Sequence, residues 1–238
     1  MSERSKVRVA VVTGGSGALG RALVEVLLKE GVRVHVPWMA GEEARALELS
    51  AREHGNALVL SRVDVTAADE VAGFFAGVGE REGQLDVLCN LAGGFAMSSV
   101  EGTSPDAWDH MMQLNATSAF LCSRAAVPLM KKAGGGRIVN VAALPALEGG
   151  GAGMAAYTAS KSAVVSLTQA LARELLPAHI TVNAVAPEIL DTPANRKAMP
   201  DADRSKWVST EAAARVIAFL AGPEGAVVTG SLLALRKG

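Results

Sequence analysis

Short β-branched runs alternate with longer stretches of helical periodicity along the whole chain, and that alternation leaves few folds open. A strand that must be followed by a helix before the next strand cannot form hairpins. It builds a parallel sheet with helices on both faces. The spacing predicts strands at Val7–Val12, Val32–Val36, Ala57–Ser61, Leu85–Asn90, Gly136–Val141, Ile180–Val185 and near Ser231–Leu235. It predicts helices over Ala18–Glu30, Gly41–His54, Ala67–Arg81, Pro105–Lys132, Ala155–Leu176 and Thr210–Ala221. The fold class expected is α/β: a single-domain, doubly wound, seven-stranded parallel sheet of the Rossmann type, spanning residues 1–238. Gly134-Gly135-Gly136 and Gly149-Gly150-Gly151 are expected to be loops within that domain rather than linkers.

Between the first strand and the first helix lies Thr13-Gly14-Gly15-Ser16-Gly17-Ala18-Leu19-Gly20. A glycine-rich turn in that position aims backbone N–H groups and a helix N-terminus at a phosphate. Its glycines fit two registers, Gly15-x-Gly17-x-x-Gly20 and Gly14-x-x-x-Ala18-x-Gly20, which share only Gly20. Far downstream, Tyr157-Thr-Ala-Ser-Lys161 puts the only tyrosine of the chain four residues before a lysine, on one helix face. A charged amine there is expected to lower the phenol's pKa and make it a proton donor to a carbonyl or imine. The helix carrying it is apolar enough to be buried, through Ala159, Ala163, Val164, Leu167, Ala170 and Leu171.

The remaining composition excludes other classes. With 50% hydrophobic residues and no long uninterrupted apolar run, 238 residues fit one large core and no membrane span. The charged start, Met-Ser-Glu-Arg-Ser-Lys, and the interruption at Gly14 argue against a secretory signal, so a cytoplasmic location is expected. A net charge of −1 without a basic block gives no footprint for nucleic acid. Cys89 and Cys122 lack metal-ligand spacing and read as buried thiols, and the four histidines form no cluster, so no metal is expected.

Taken together, these residues resemble the short-chain dehydrogenase/reductase family over essentially the whole chain. The family's Thr-Gly-x-x-x-Gly-x-Gly turn is similar to Thr13–Gly20, with Ala18 in place of the middle glycine. Its adenine-contacting Asp-Val pair resembles Asp64-Val65, and its Asn-Asn-Ala-Gly signature resembles Asn90-Leu91-Ala92-Gly93. Asn115 resembles the helical asparagine that helps hold the catalytic lysine through water; Tyr157 and Lys161 resemble the catalytic pair. The run from Pro187 through Ile189 to Thr192 resembles the Pro-Gly-x-x-x-Thr segment near the nicotinamide. The resemblance implies NAD or NADP as cofactor, a small-molecule substrate, and a homodimer or homotetramer built on the long helices, whose alanine face (Ala159, Ala163, Ala170) permits close approach.

Two departures matter. The family's serine at the end of strand five, which hydrogen-bonds the substrate carbonyl, is replaced in Asn140-Val141-Ala142-Ala143-Leu144 by Ala143. One missing donor to a developing oxyanion costs roughly 3 to 4 kcal/mol. At the end of strand two, where an acid for ribose hydroxyls or a base for a 2′-phosphate is expected, the chain has Pro37-Trp38-Met39. The absence of basic residues between Gly14 and Gly20 mildly favours NAD.

A narrower resemblance addresses the missing serine. The segment Leu190–Asp203 followed by Trp207, with Gly93-Gly94-Phe95 and Gly153-Met154, is similar to dihydropteridine reductases, which also lack it. Their quinonoid substrate is an electron-poor conjugated system and builds little charge on one oxygen. The substrate pocket implied comprises Phe95, Ala143, Leu144, Leu147, Met154, Glu188, Leu190 and Trp207, with Glu188 either orienting a substrate amine or standing as a solvated loop charge. The segment from Thr192 to Thr210 carries Pro193 and Pro200 and is short, so a small lid and a compact substrate are expected. The alternative from another class is a non-catalytic NAD(P)-binding sensor or scaffold with a degenerate site.

Overall fold

A computed structural model of the chain describes residues 7–39 and 42–237, apart from the side chains of 42–46. The elements run β1 (Val9–Thr13), α1 (Ala18–Lys29), β2 (Arg33–Trp38), α2 (Glu42–His54), β3 (Leu58–Arg62), α3 (Ala68–Glu82), β4 (Val87–Asn90), α4 (Pro105–Met112) and α5 (Ser118–Ala133). They continue with β5 (Gly136–Val141), α6 (Leu144–Glu148), α7 (Ala155–Leu175), β6 (Ile180–Pro187), β7 (Leu190–Asp191), α8 (Pro193–Ala198), β8 (Val208–Ser209), α9 (Thr210–Ala221) and β9 (Leu232–Leu235).

Seven parallel strands pair in the order β3-β2-β1-β4-β5-β6-β9. The chain builds outward from β1 in one direction, then returns to its other side with β4. That reversal opens a crevice at the carboxyl ends of β1 and β4, where Thr13 and Asn90 are register partners. Strand alternation divides the core between two faces. Ala10 and Val12 of β1 join Val34 and Val36 against α1 and α9, while Val9 and Val11 join Leu88 and Ile138 against α3, α5 and α7. All five residues of β1 are buried, as expected of a central strand covered on both faces.

Several expectations shift. Val7 is 51% exposed and precedes β1, because pairing begins with Val9. The predicted start of the second helix at Gly41, and the charged start 1–6, lie outside the described residues. The single helix expected over Pro105–Lys132 is α4, a π-helical turn at Gln113–Thr117, and α5. A two-stranded parallel sheet of β7 with β8, and the short helices α6 and α8, stand where no element was expected. On α7 the buried stripe is Ser160, Lys161, Val164, Thr168, Ala172 and Leu175. Ala159 and Ala163 are half-buried and Ala170 is exposed, so the alanine face is not the core face.

Candidate active site

The turn after β1 is held by close backbone packing. The Thr13 hydroxyl accepts hydrogen bonds from the N–H groups of Leu91 (3.1 Å) and Ala92 (3.0 Å), fastening the end of β1 to the end of β4. Gly14 has φ +65°, and a Cβ there would stand 2.8 Å from Ala92 N. A Cβ on Gly20 would stand 2.1 Å from the Gly14 carbonyl oxygen, and at Gly14, Gly15 and Gly20 alike a side chain would meet its neighbours within 3.0 Å. Gly17 is the N-cap of α1 and places no side chain on the first-turn N–H groups. Those donors and the positive end of the helix dipole face the crevice, which is the donor set a dinucleotide pyrophosphate requires. Trp38 is half-buried at the end of β2. Asp64 Oδ1 accepts from Thr66 N (2.8 Å) and Thr66 Oγ1 (2.7 Å), and Val65 packs on the core beneath α3.

Tyr157, Lys161 and Asn115 converge at the neighbouring strand ends. The π-helical turn swings Asn115 inward, where it is 1% exposed. Its Oδ1 accepts from Gly94 N (2.9 Å), and its Nδ2 donates to the Gly94 carbonyl (3.1 Å) and to Ser160 Oγ (3.0 Å). The Ser160 hydroxyl donates in turn to the Tyr157 carbonyl (2.7 Å). Lys161, 5% exposed, donates through Nζ to the Val141 carbonyl at the end of β5 (2.8 Å). A Cβ at Gly93 would meet Asn115 Oδ1 at 2.5 Å and Lys161 Nζ at 3.1 Å, so this segment passes as bare backbone between the two side chains. Asn90 anchors the floor, donating to Asn140 Oδ1 (2.8 Å) and Ser123 Oγ (3.2 Å).

Burial sets the proton affinities. It pushes the Lys161 ammonium down to about 8 and the Tyr157 phenol up to about 12. The expectation that Lys161 lowers the Tyr157 pKa is therefore corrected for the protein alone: its amine is spent on the Val141 carbonyl, and desolvation governs the phenol. The tyrosine stays protonated through ordinary pH.

The pocket residues separate into two groups. Ala143 and Leu144 are buried beside the end of β5, and Ala143 adopts an extended N-cap conformation without a hydroxyl. The Phe95 ring, 57% exposed, stands edge-on to Tyr157 with centroids 4.8 Å apart. Met154 is the N-cap of α7 and half-buried, and Leu147 packs near Val164. Glu188 is exposed at the end of β6, its N–H donating to the Leu235 carbonyl. Leu190 instead packs on the α1 core, and Trp207 is buried with the Arg204 guanidinium 5.9 Å from its ring, so both serve as packing for the segment between β7 and β8. Pro187 is buried in register with Leu235; the Ile189 carbonyl accepts from Val208 N; Thr192 caps α8 through Asn195 N (3.1 Å). A cavity of about 600 Å³ lies between Arg21 and Arg196, and one of about 640 Å³ lies beside Met154; neither is lined by Tyr157. The sequence assigns Ser160 no role, although it lies inside the Tyr157–Lys161 motif, and names Gly94 only within the Gly93-Gly94-Phe95 run.

The family model described as short chain dehydrogenase matches residues 8–203. The chain belongs to the short-chain dehydrogenase/reductase family. This is a family of NAD(P)-dependent oxidoreductases acting on carbonyl and hydroxyl groups. The chain is similar to the D-beta-hydroxybutyrate dehydrogenase of Rhizobium meliloti (strain 1021), 29% identical over 253 residues covering 97% of this chain and 98% of that one. It superposes with a TM-score of 0.86 on the 3-ketoacyl-(acyl-carrier-protein) reductase from Brucella melitensis complexed with NADH, at 27% identity and 97% coverage of each chain. It superposes with a TM-score of 0.88 on an actinorhodin polyketide ketoreductase variant with NADPH, at 32% identity, covering 96% of this chain and 95% of that one. Among the described residues no group of three or more side chains is arranged to hold a metal, and no helix is long and apolar enough to cross a membrane.

Proposed function

We propose that this family member transfers a hydride from a reduced nicotinamide dinucleotide to a compact carbonyl, imine or quinonoid substrate, with Tyr157 as proton donor. A quinonoid dihydropterin is the specific candidate. The observation that carries the reading is the buried meeting of Lys161 and Asn115 at Gly93 and Gly94, with Asn115 joined through Ser160 to the backbone of half-buried Tyr157. What supports catalysis over a non-catalytic sensor is the burial of a lysine amine, a placement that costs stability and that packing alone does not require.

In this reading Gly14, Ser16 and Gly17 with the first turn of α1 (Ala18, Leu19, Gly20) hold the pyrophosphate, Trp38, Asp64 and Val65 flank the adenosine half, and Asn90, Ala92, Gly93, Pro187, Ile189 and Thr192 bracket the nicotinamide half. When bound, the reduced nicotinamide supplies the hydride. Tyr157, neutral at working pH, releases its phenolic proton to the substrate and is recharged through Lys161, whose proton affinity near neutrality suits a relay. Asn115 holds the segment bearing Gly94 against α7 and so fixes the distance between cofactor floor and proton donor.

Ala143 supports the substrate class. Without a hydroxyl there, a lone carbonyl oxygen gains charge with one donor fewer, whereas a conjugated quinonoid system delocalises it. Phe95 offers a planar substrate an exposed aromatic face next to the donor. Self-association through the half-buried alanine face of α7, giving a dimer or tetramer, completes the proposal.

The test is Tyr157→Phe, assayed by loss of reduced-nicotinamide absorbance with quinonoid dihydropterin. Turnover is expected to fall about a hundredfold or more while dinucleotide binding is kept. A variant with undiminished turnover removes Tyr157 from the proton path.

A further inference from the structure

The parallel register of β2 with β3 ends on one pair, Trp38 beside Arg62. Register partners in a parallel sheet point to the same face, and alternate residues of a strand share it. Val34, Val36 and Trp38 of β2, and Leu58 and Leu60 of β3, all pack into the cluster shared with α1. Arg62 therefore emerges on that same α1 face, at the carboxyl edge, one strand spacing of about 4.8 Å from Trp38. The edge adjoins the glycine turn, since a Cβ on Gly15 would stand 2.6 Å from Val36 Cγ1. Val36 is two residues, about 6.6 Å of strand, before Trp38.

Among the described side chains, β2 brings no carboxylate to this point; Glu42 and Glu43 follow at the start of α2. From Val36 to Met39 the chain has no carboxylate. Asp64, the nearest acid on β3's exit, turns its Oδ1 onto Thr66. Arg62 is exposed and makes no ion pair with any described side chain. A carboxylate at the end of β2 would bind ribose hydroxyls and repel a phosphate; an indole does neither, and a guanidinium one strand away attracts the phosphate.

We infer that Arg62 is a specificity-determining residue that binds the adenosine 2′-phosphate, so that the protein uses NADPH in preference to NADH. This rests on the dinucleotide reading of the crevice and reverses the mild expectation of NAD, which came from the glycine turn alone. The sequence keeps Arg62 twenty-four residues from Trp38; only the β2·β3 register makes them neighbours.

The experiment is a binding titration of the full chain with NADPH and with NADH, followed by energy transfer from its tryptophans to the reduced nicotinamide, at low and moderate salt. NADPH is expected to bind about ten- to a hundredfold more tightly, with the gap narrowing as salt rises. Arg62→Gln should remove most of that gap and leave NADH affinity unchanged, while Arg62→Lys should keep part of it, losing the bidentate fork. Trp38→Asp should invert the preference by supplying the missing carboxylate. Equal or tighter binding of NADH by the wild type, or a gap untouched by Arg62→Gln, overturns the assignment. Binding of neither cofactor overturns the dinucleotide reading itself, an outcome separate from a wrong role for Arg62.

Discussion

At Ala143 the backbone is extended, with φ −156° and ψ 151°, and the methyl is 4% exposed at the carboxyl end of the strand whose Val141 carbonyl holds Lys161. Ala143→Ser adds one oxygen to this site and supplies a donor to a developing oxyanion. Turnover of plain ketones is expected to rise by about ten- to a hundredfold, with little gain for a quinonoid acceptor, in parallel kcat/KM measurements. Lys161 gives a second prediction. Its ordinary value of 10.5 falls to about 8 on burial, so between those values the unfolded chain binds more protons than the native one. Native stability contributed by this residue therefore rises from pH 8 to 10.5. Melting of the wild type against Lys161→Met should show the variant relatively more stable below pH 8, with the difference shrinking as pH rises. Tyr157 and Lys161 were legible from their spacing. The link through Ser160 was not, because its partner Asn115 reaches it across a turn whose geometry leaves no mark in the periodicity.

Elements two residues long, and a helix that changes pitch, escape pattern reading for a physical reason. β7 and β8 are too short to show alternation, and their pairing is set by what flanks them: Val208 sits in the core and Ser209 caps α9 through Ala212 N. The π-helical turn between α4 and α5 keeps the helical direction, so apolar spacing read one continuous helix. By contrast, the strands and the bounds of α9 were plain, since runs of β-branched residues and the N-terminal Thr210 carry local signals. At the amino end of the sheet, away from the site, α3 is tied to β2 through Glu82, which accepts from Arg33 (2.7 Å) and pairs with His35 (3.0 Å). Burial works to raise the Glu82 pKa, but the hydrogen bonds from Arg33 and His35 outweigh it and hold the carboxyl below its usual range. Burial lowers His35, which stays neutral and donates to Glu82. Both shifts have one sign: the unfolded chain takes up protons first, so stability falls as pH drops through the histidine and then the carboxylate range. Glu82→Ala should cost about 3 kcal/mol in denaturant unfolding at pH 7, and its variant should lose part of the wild type's acid sensitivity.

Across the whole molecule, the order β3-β2-β1-β4-β5-β6-β9 brings the glycine turn, the Asn90 segment and the Tyr157 helix to one end of one sheet, although they are far apart in the chain. That convergence was readable in advance because parallel sheets reverse at a single point and ligands bind there. The juxtaposition of Trp38 with Arg62 was not, since it depends on β2 and β3 standing in register. The segment between β7 and β8 is tied down, with Trp207 and Val208 buried and β7 paired to β8, which fits the compact substrate proposed. The comparison that tests the account most directly is kcat/KM of the wild type for quinonoid dihydropterin against a simple aliphatic ketone, each followed with saturating reduced dinucleotide. The missing hydroxyl at Ala143 predicts a preference for the dihydropterin of at least about a hundredfold; equal or better use of the ketone would contradict it.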